Sequence, residues 1–248
     1  WKQVPNNSVF SYKGITASKK WELYNSDIVT VKDIPDNYPL NNTEQLVVSS
    51  LKNKSSYINK DAITSFVEGL VYPLYFLDFE TLFMVSIPIY DNSSPFQQIP
   101  FQYSLHVQKK KDSNVEHLEF LADATKDIDP RISLIENLIR GIGTTGSIIT
   151  YNESFEKGRL QEIKACFPQY SAKIDNMISR VVDLMGPFRS RHLYTHDMKG
   201  SYSIKKVLPA LVPELTYEGM DIADGGAASS SFMKLFNESD SATINKTR

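Results

Sequence analysis

The sequence holds a single cysteine, Cys166, among 248 residues. A lone thiol excludes an intrachain disulfide framework and a thiolate metal cluster. Its neighbours Ile163 and Phe167 mark it as a small, buried apolar residue. A chain with no need of disulfides fits a reducing, cytoplasmic setting. No apolar run approaches the ~20 residues that a membrane-spanning helix needs. The opening WKQVPNN has neither the pattern of a signal peptide nor an initiating Met, so the chain reads as an excerpt of a longer protein. Neither sign of charge dominates: 27 Lys and Arg against 29 Asp and Glu leave −2. That balance excludes a general basic coat, and any nucleic-acid role must rest on local patches. Internal repeats and low-complexity tracts are missing as well.

What is present is an ordinary globular mix, 41% hydrophobic and 23% charged, sufficient for a sizeable core. Residues 1–60 are polar, rich in Asn, Lys and Ser, and read as an N-terminal arm or connector, mostly irregular with some helix. A helix begins near Asn42 or Thr43 after a Pro-punctuated turn. From residue 61 to 248 the pattern becomes α/β. DAITSFVEGL is an amphipathic helix, with Ile63, Phe66, Val67 and Leu70 at helical spacing. Strands follow at Leu74–Glu80, FQYSLHV and VEHLEFL, the last two joined by a Lys109–Asn114 turn. Pro130 opens a helix whose apolar face is Ile132, Ile135, Leu138, Ile139 and Ile142. SIITYN is a short buried strand, followed by helices through FEKGRLQEIKACF and AKIDNMISRVVDLM. Three strands in a meander, then helix, strand and more helix, is the order of a ribonuclease H-like mixed sheet flanked by helices.

YPLYFLDFETL, residues 72–82, raises the chemical question. Side chains alternate along a strand, so Phe76, Asp78 and Glu80 share one face and Leu77 and Phe79 the other. Two carboxylates at i and i+2 on one face repel unless one takes a proton or a cation sits between them. Hard divalent ions, Mg²⁺ or Mn²⁺, take carboxylate oxygens in open sites of this kind. The plainer alternative is an edge strand with solvated acids; the apolar YPLYFL before the pair and LFMV after it favour a central strand. IITYNESFEKGRL supplies a second acidic motif. Asn152 is a good helix N-cap, and Glu156, four residues on, emerges from the first turns of the helix on the same side. Here the alternative is ordinary first-turn acids.

FLDFET and, some 70 residues later, YNESFE together resemble the first two motifs of the DEDD (DnaQ-like) 3′–5′ exonuclease superfamily. More closely, YPLYFLDFET, IPFQYSLHV, GSIITYNESFEKGRL, RVVDLMGPF and KGSYSIKKVLPALVPELTY resemble an uncharacterised bacterial family within it, one often fused behind a RecB- or Cas4-like nuclease domain. The resemblance covers about residues 60–232 and implies a metal-dependent phosphodiesterase with two ions in the complete site. It implies Asp78, Glu80 and Glu156 as ligands and catalytic carboxylates, with Glu156 standing where the superfamily usually has Asp. Asn152 and Phe155 match positioning and packing places. The third-motif patterns have no convincing counterpart: Tyr217 to Asp221 spells Y-x3-D in loop-like sequence, and Asp224 reads first as a helix N-cap. Asp221 and Asp224 are the further ligand candidates within the chain, while the resemblance places the fourth carboxylate and the general base beyond Arg248. A single-stranded nucleic-acid end is the implied substrate, DNA or RNA, and an upstream RecB/Cas4-like domain the implied partner. The competing expectation is a catalytically inactive nucleic-acid-binding or interdomain module of a larger nuclease.

Other residues weigh less. Asn152, Lys199, Tyr202, Lys205 and Lys206 are candidate nucleic-acid contacts, the cations and ring of MKGSYSIKKVL against a solvated helix end. Lys109–Lys111 reads as a hairpin tip, and Asp183 as an acid that caps or hydrogen-bonds near the site. His106 and His117, on adjacent strands without a third ligand, read as structural.

Overall fold

The computed structural model describes residues 4–83, 87–124, 128–216, 219, 225–236, 238 and 240. The chain divides into two compact units, one formed by residues 1–68 and 185–217, the other by 69–184 and 218–248.

The first unit opens with α1 (Ala17–Asn25), α2 (Asn42–Asn53), the short strand β1 (Ser56–Ile58) and α3 (Lys60–Glu68). Helix α2 starts with a complete capping box. Asn41 Oδ1 accepts from the Glu44 N–H at 2.9 Å, and Glu44 Oε2 accepts from the Asn41 N–H at 3.1 Å, so two otherwise orphaned donors are satisfied reciprocally. Val9, Ile15, Leu23, Val31, Ile34 and Val48 form a core of their own. Residues 1–60 are therefore part of a folded unit, more than an arm.

The second unit carries β2 (Leu74–Phe83), β3 (Gln98–Gln108), β4 (Val115–Leu121), α4 (Pro130–Gly141), β5 (Ile148–Thr150), α5 (Glu153–Cys166), α6 (Ser171–Ser179) and β6 (Val181–Asp183). The chain then returns to the first unit with α7 (Gly186–Arg189), β7 (Leu193–Thr195) and α8 (Ile204–Leu211), before α9 (Gly225–Leu235) completes the second. Strand β7 pairs antiparallel with β1, Tyr57 opposite Tyr194. This pairing draws residues 185–217 into the first unit, so the observed division differs from the expected boundary at residue 60.

The second unit is a mixed α/β layer structure. Its sheet has the order β4-β3-β2-β5-β6, antiparallel among the first three strands and parallel across β2–β5 and β5–β6. Alternation decides its faces. Tyr75, Leu77 and Phe79 of β2 lie in register with Val107, Leu105 and Tyr103 of β3, and all six are buried. Leu134, Ile135 and Leu138 of α4, Leu160 and Ile163 of α5, and Ile174 and Met177 of α6 pack against them. Each fully buried Leu or Ile of this kind contributes roughly 1.5–3 kcal/mol of transfer free energy. The opposite face of β2 carries Phe76, Asp78 and Glu80.

Two expectations need correction here. The helix expected through residues 172–185 ends at Ser179, and Val181–Asp183 is a parallel edge strand, which suits the β-branched Val181 and Val182. Cys166 is half-buried in a polar setting. Its Sγ donates to the Asn92 carbonyl at 3.3 Å and accepts from Arg131 Nη1 at 3.3 Å.

Candidate functional site

Asp78 and Glu80 stand on central β2, followed at once by a register shift between Glu80 and Thr81, where Glu80 faces Gln102 and Thr81 faces Pro100. The extra residue, Phe101, is a bulge that bends the ladder beside the acids, as bulges do near functional sites. Phe101 turns into a second core with Leu82, Ile99, Ala228 and Phe232, its ring stacked on Phe232 at 4.1 Å. That packing docks α9 on the end of β2, where Ser229 Oγ accepts from the Phe83 N–H at 3.0 Å. A Cβ built on Gly225 would lie 3.4 Å from Glu80 Oε2. The start of α9, with its partial positive charge, therefore lies beside that carboxylate. A cleft of about 460 Å³ opens next to Glu80, walled by Phe79, Phe83 and Phe155 and floored by Gln98 and the glycines of α9.

The second acidic motif follows β5. Asn152 takes the left-handed conformation, φ 80° and ψ 70°, which Asn tolerates better than most residues. It turns the chain from strand into α5. The expected side-chain cap is not formed: Asn152 Oδ1 accepts instead from Ser154 Oγ at 2.8 Å. The turn is held by Asp183 of β6, whose Oδ1 accepts from the Asn152 N–H at 3.0 Å.

Glu156, in the first turns of α5, is 2% exposed, and its Oε2 has no hydrogen-bond partner. Thr150 Oγ1, on the strand feeding the turn, is buried and unpartnered too. Burial first, and then the negative charges of Asp78 and Asp183, push the Glu156 carboxyl up to about 8, against its own backbone N–H and Arg159. Asp78 is solvent-exposed, yet the protein around it raises its carboxyl above the usual range, with the Phe79 N–H opposing. Glu44 in the first unit shows what burial alone does not do. It is 3% exposed, and burial would raise it, but it accepts from the Thr16 N–H at 3.0 Å, Thr16 Oγ1 at 2.9 Å and the Asn41 N–H. These bonds hold it below its ordinary value. Both carboxylates are nearly inaccessible to solvent, but Glu44 has three hydrogen-bond donors, whereas Glu156 Oε2 has none and faces Asp78 and Asp183. An unsatisfied buried carboxylate beside two others is stable only with a proton or a cation.

Asp78, Asp183 and Glu156 are brought together electrostatically, with Glu80 on the same strand face as Asp78. Among the described residues, no three His, Cys, Asp or Glu side chains form a ready-made metal-holding group. Asp221 and Asp224 lie outside the described residues. The orphaned Glu156 oxygen and the acids around it are hard-cation donors by type, with Asp78, Glu80 and Glu156 the candidates from the two motifs. Lys199, Tyr202, Lys205 and Lys206 are exposed in the first unit, where the Arg191 guanidinium lies 5.6 Å from the Tyr202 ring centre. The hydrogen bond expected of Asp183 near the site is the one it accepts from the Asn152 N–H; its place in the acidic group depends on β6 being a strand beside β5.

Over residues 75–203 the sequence matches the family described as Domain of unknown function (DUF2779). The chain belongs to the DUF2779 family. It is 29% identical over 243 residues to an uncharacterised protein of Ureaplasma parvum, covering 88% of this chain and 33% of that one. It is 30% identical over 187 residues to an uncharacterised protein of Mycoplasma genitalium, covering 66% and 27%. A Mycoplasma pneumoniae homologue of the latter is 31% identical over 144 residues, covering 55% and 22%. The chain thus spans a third or less of the curated relatives it matches. No solved structure matches it. No helix among the described residues is long and apolar enough to cross a membrane.

Proposed function

We propose that the second unit is a metal-dependent nuclease domain that hydrolyses phosphodiester bonds at the 3′ ends of single-stranded DNA or RNA. The observation that carries this reading is the buried Glu156 oxygen left without a partner beside Asp78 and Asp183. The strand order of the sheet, with the acids on its central strand and the second motif at the end of the adjoining parallel strand, agrees with the DnaQ-like resemblance of FLDFET and YNESFE.

Asp78, Glu80 and Glu156 would hold Mg²⁺ or Mn²⁺, two ions in the complete site, with Asp221 or Asp224 as further ligands. The cation, when bound, supplies Lewis-acid stabilisation of the charge that develops on the phosphoryl oxygens. The chain's own groups do the rest. Asp78 faces solvent and can meet the scissile phosphate region, while Glu156 holds a proton on its buried carboxyl. Asp183 fixes the Asn152 turn and so the place of Glu156. Phe79, Phe83 and Phe155 give the neighbouring cleft apolar walls suited to a terminal nucleoside. The relatives' greater length leaves room for the upstream RecB/Cas4-like domain that the resemblance implies.

The second reading, a non-catalytic nucleic-acid-binding or interdomain module, draws on the missing ready-made trio of ligands among the described residues. A time course on a 5′-labelled single strand with Mn²⁺ and the full-length protein separates the two. Laddering that disappears in Asp78→Ala supports hydrolysis; oligonucleotide binding without turnover supports the module.

A further inference from the structure

The face of the sheet that bears Asp78 and Glu80 continues across β3 and β4. In register, Phe76, His106 and His117 form one row, and Asp78, Ser104 and Glu119 form the next. The imidazoles of His106 and His117 are stacked, with ring centres 4.3 Å apart and planes 16° from parallel. Ser104 Oγ lies 3.1 Å from His117 Nε2 and steadies that ring. Both rings are exposed, so the pair adds little to the core, contrary to the structural part expected for it. Desolvation, with His117 beside it, lowers the His106 imidazole below its usual value.

The surroundings suggest an occupant. Strand β4 is at the edge of the sheet, so the outer face of His117 has no neighbouring strand among the described residues. Just beyond the rings the ladder ends at Gln108 and Val115 and the β3–β4 hairpin turns. Lys109, Lys110 and Lys111 are all exposed there; Lys109 pairs with Glu116 at 3.3 Å. In the other direction, Asp78 is two strands and one row away, roughly 12 Å at ordinary strand spacing and rise. The hairpin-tip cations, the stacked rings and the acidic pair thus follow one another along the sheet, the rings and the acids on one face. A single strand offers the complementary series, phosphates, unstacked bases and a 3′ end. Base stacking on exposed rings adds affinity for each base and tolerates any sequence.

We propose that His106 and His117 form a stacking platform for an unpaired nucleobase, with Lys109–Lys111 holding the phosphates beyond it and the strand leading on to Asp78. This rests on the nucleic-acid reading of the site above but not on turnover. A fluorescein-labelled oligothymidine or oligouridine is titrated with the full-length protein in EDTA and followed by anisotropy. His106→Ala/His117→Ala weakens binding about ten-fold with an unchanged melting temperature. His106→Phe/His117→Phe, which keeps flat rings and loses the imidazole nitrogens, stays within about three-fold of wild type. An abasic oligonucleotide binds the wild type as weakly as the normal one binds the double alanine variant. Lys109→Ala/Lys110→Ala/Lys111→Ala flattens the dependence of log Kd on log salt, by about 0.7 for each phosphate that is no longer neutralised. The proposal is overturned if the double alanine variant binds like wild type, if the abasic strand binds equally well, or if the wild type binds neither oligonucleotide. Unchanged binding in the alanine variant alongside Mn²⁺-dependent trimming would remove the platform and leave the hydrolase. Expected binding losses without trimming would do the reverse.

Discussion

Asp183 Oδ1 accepts from the backbone N–H of Asn152 at 3.0 Å, joining the end of β6 to the left-handed turn that launches α5. Through that bond an acid on the edge strand sets where Glu156 enters the protein, and its charge adds to the pressure on the Glu156 carboxyl. Asp183→Ala removes both effects. Loss of this solvent-exposed bond costs about 0.5–1.5 kcal/mol in urea unfolding, and the Glu156 carboxyl, followed by carbon-detected NMR titration, moves down toward the ordinary carboxylate range.

Glu156 also sets a dependence of stability on pH. Its carboxyl titrates at about 8 in the fold against an ordinary 4.5. Between these values the folded state keeps a proton that the unfolded chain has lost, so its contribution is complete below about pH 4.5 and declines as pH rises through about 8. Glu156→Gln removes that decline. In EDTA at pH 8 the variant is expected to be more stable than wild type by up to roughly 4 kcal/mol, at about 1.4 kcal/mol per pKa unit. At pH 4.5 the two should melt alike. A wild type whose melting temperature is flat from pH 5 to 9 would contradict this.

Asp78→Asn and Glu80→Gln each remove a formal charge from the exposed side of β2 while keeping shape. Mn²⁺-dependent release of nucleotides from a labelled 3′ end should fall by a factor of about 100 or more in each. Unfolding midpoints should shift little, since Asp78 is exposed and its charge is already disfavoured. Rates equal to wild type in both variants would remove these residues from the chemistry.

Arg131 anchors the start of α4. It is 1% exposed, with Nε 3.0 Å from both Asp129 oxygens, Nη2 2.6 Å from Oδ2, and a further bond from Nη2 to the Asp91 carbonyl at 3.1 Å. Arg131→Met keeps the length but leaves Asp129 with only the backbone N–H of residue 131, and the Asp91 carbonyl without its donor. A loss of roughly 3–5 kcal/mol is expected in chemical denaturation, larger than for any of the site variants.

Much of the second unit is legible in the sequence because its signals are local. The apolar run and D-x-E of LYFLDFE and the strict alternation in FQYSLHV mark the buried and open faces of β2 and β3, and Pro130 and Asn152 mark helix starts that the structure contains. Val181–Asp183 reads as helix because three residues carry too little period to oppose the helical pattern before them. The β1–β7 pair joins residues more than 130 positions apart, and nothing near either strand announces the other. For the site, i and i+2 spacing suffices to put Asp78 and Glu80 on one face. That Glu156 is buried with one oxygen unmatched depends on how α5 packs, which spacing along the chain does not encode. His106 and His117 read as residues of adjacent strands; that they stand directly opposite one another depends on register.

The first unit is stitched from two stretches with most of another fold spliced between them. Anyone trimming this gene to isolate the carboxylate-bearing half by a single cut near residue 60 would strip β7 of its mate and leave 185–217 attached as an orphan fragment. A faithful dissection lifts out 69–184 and joins to it, by a short linker, the stretch from 218 onward that carries α9, much as one would lift a guest domain from its host.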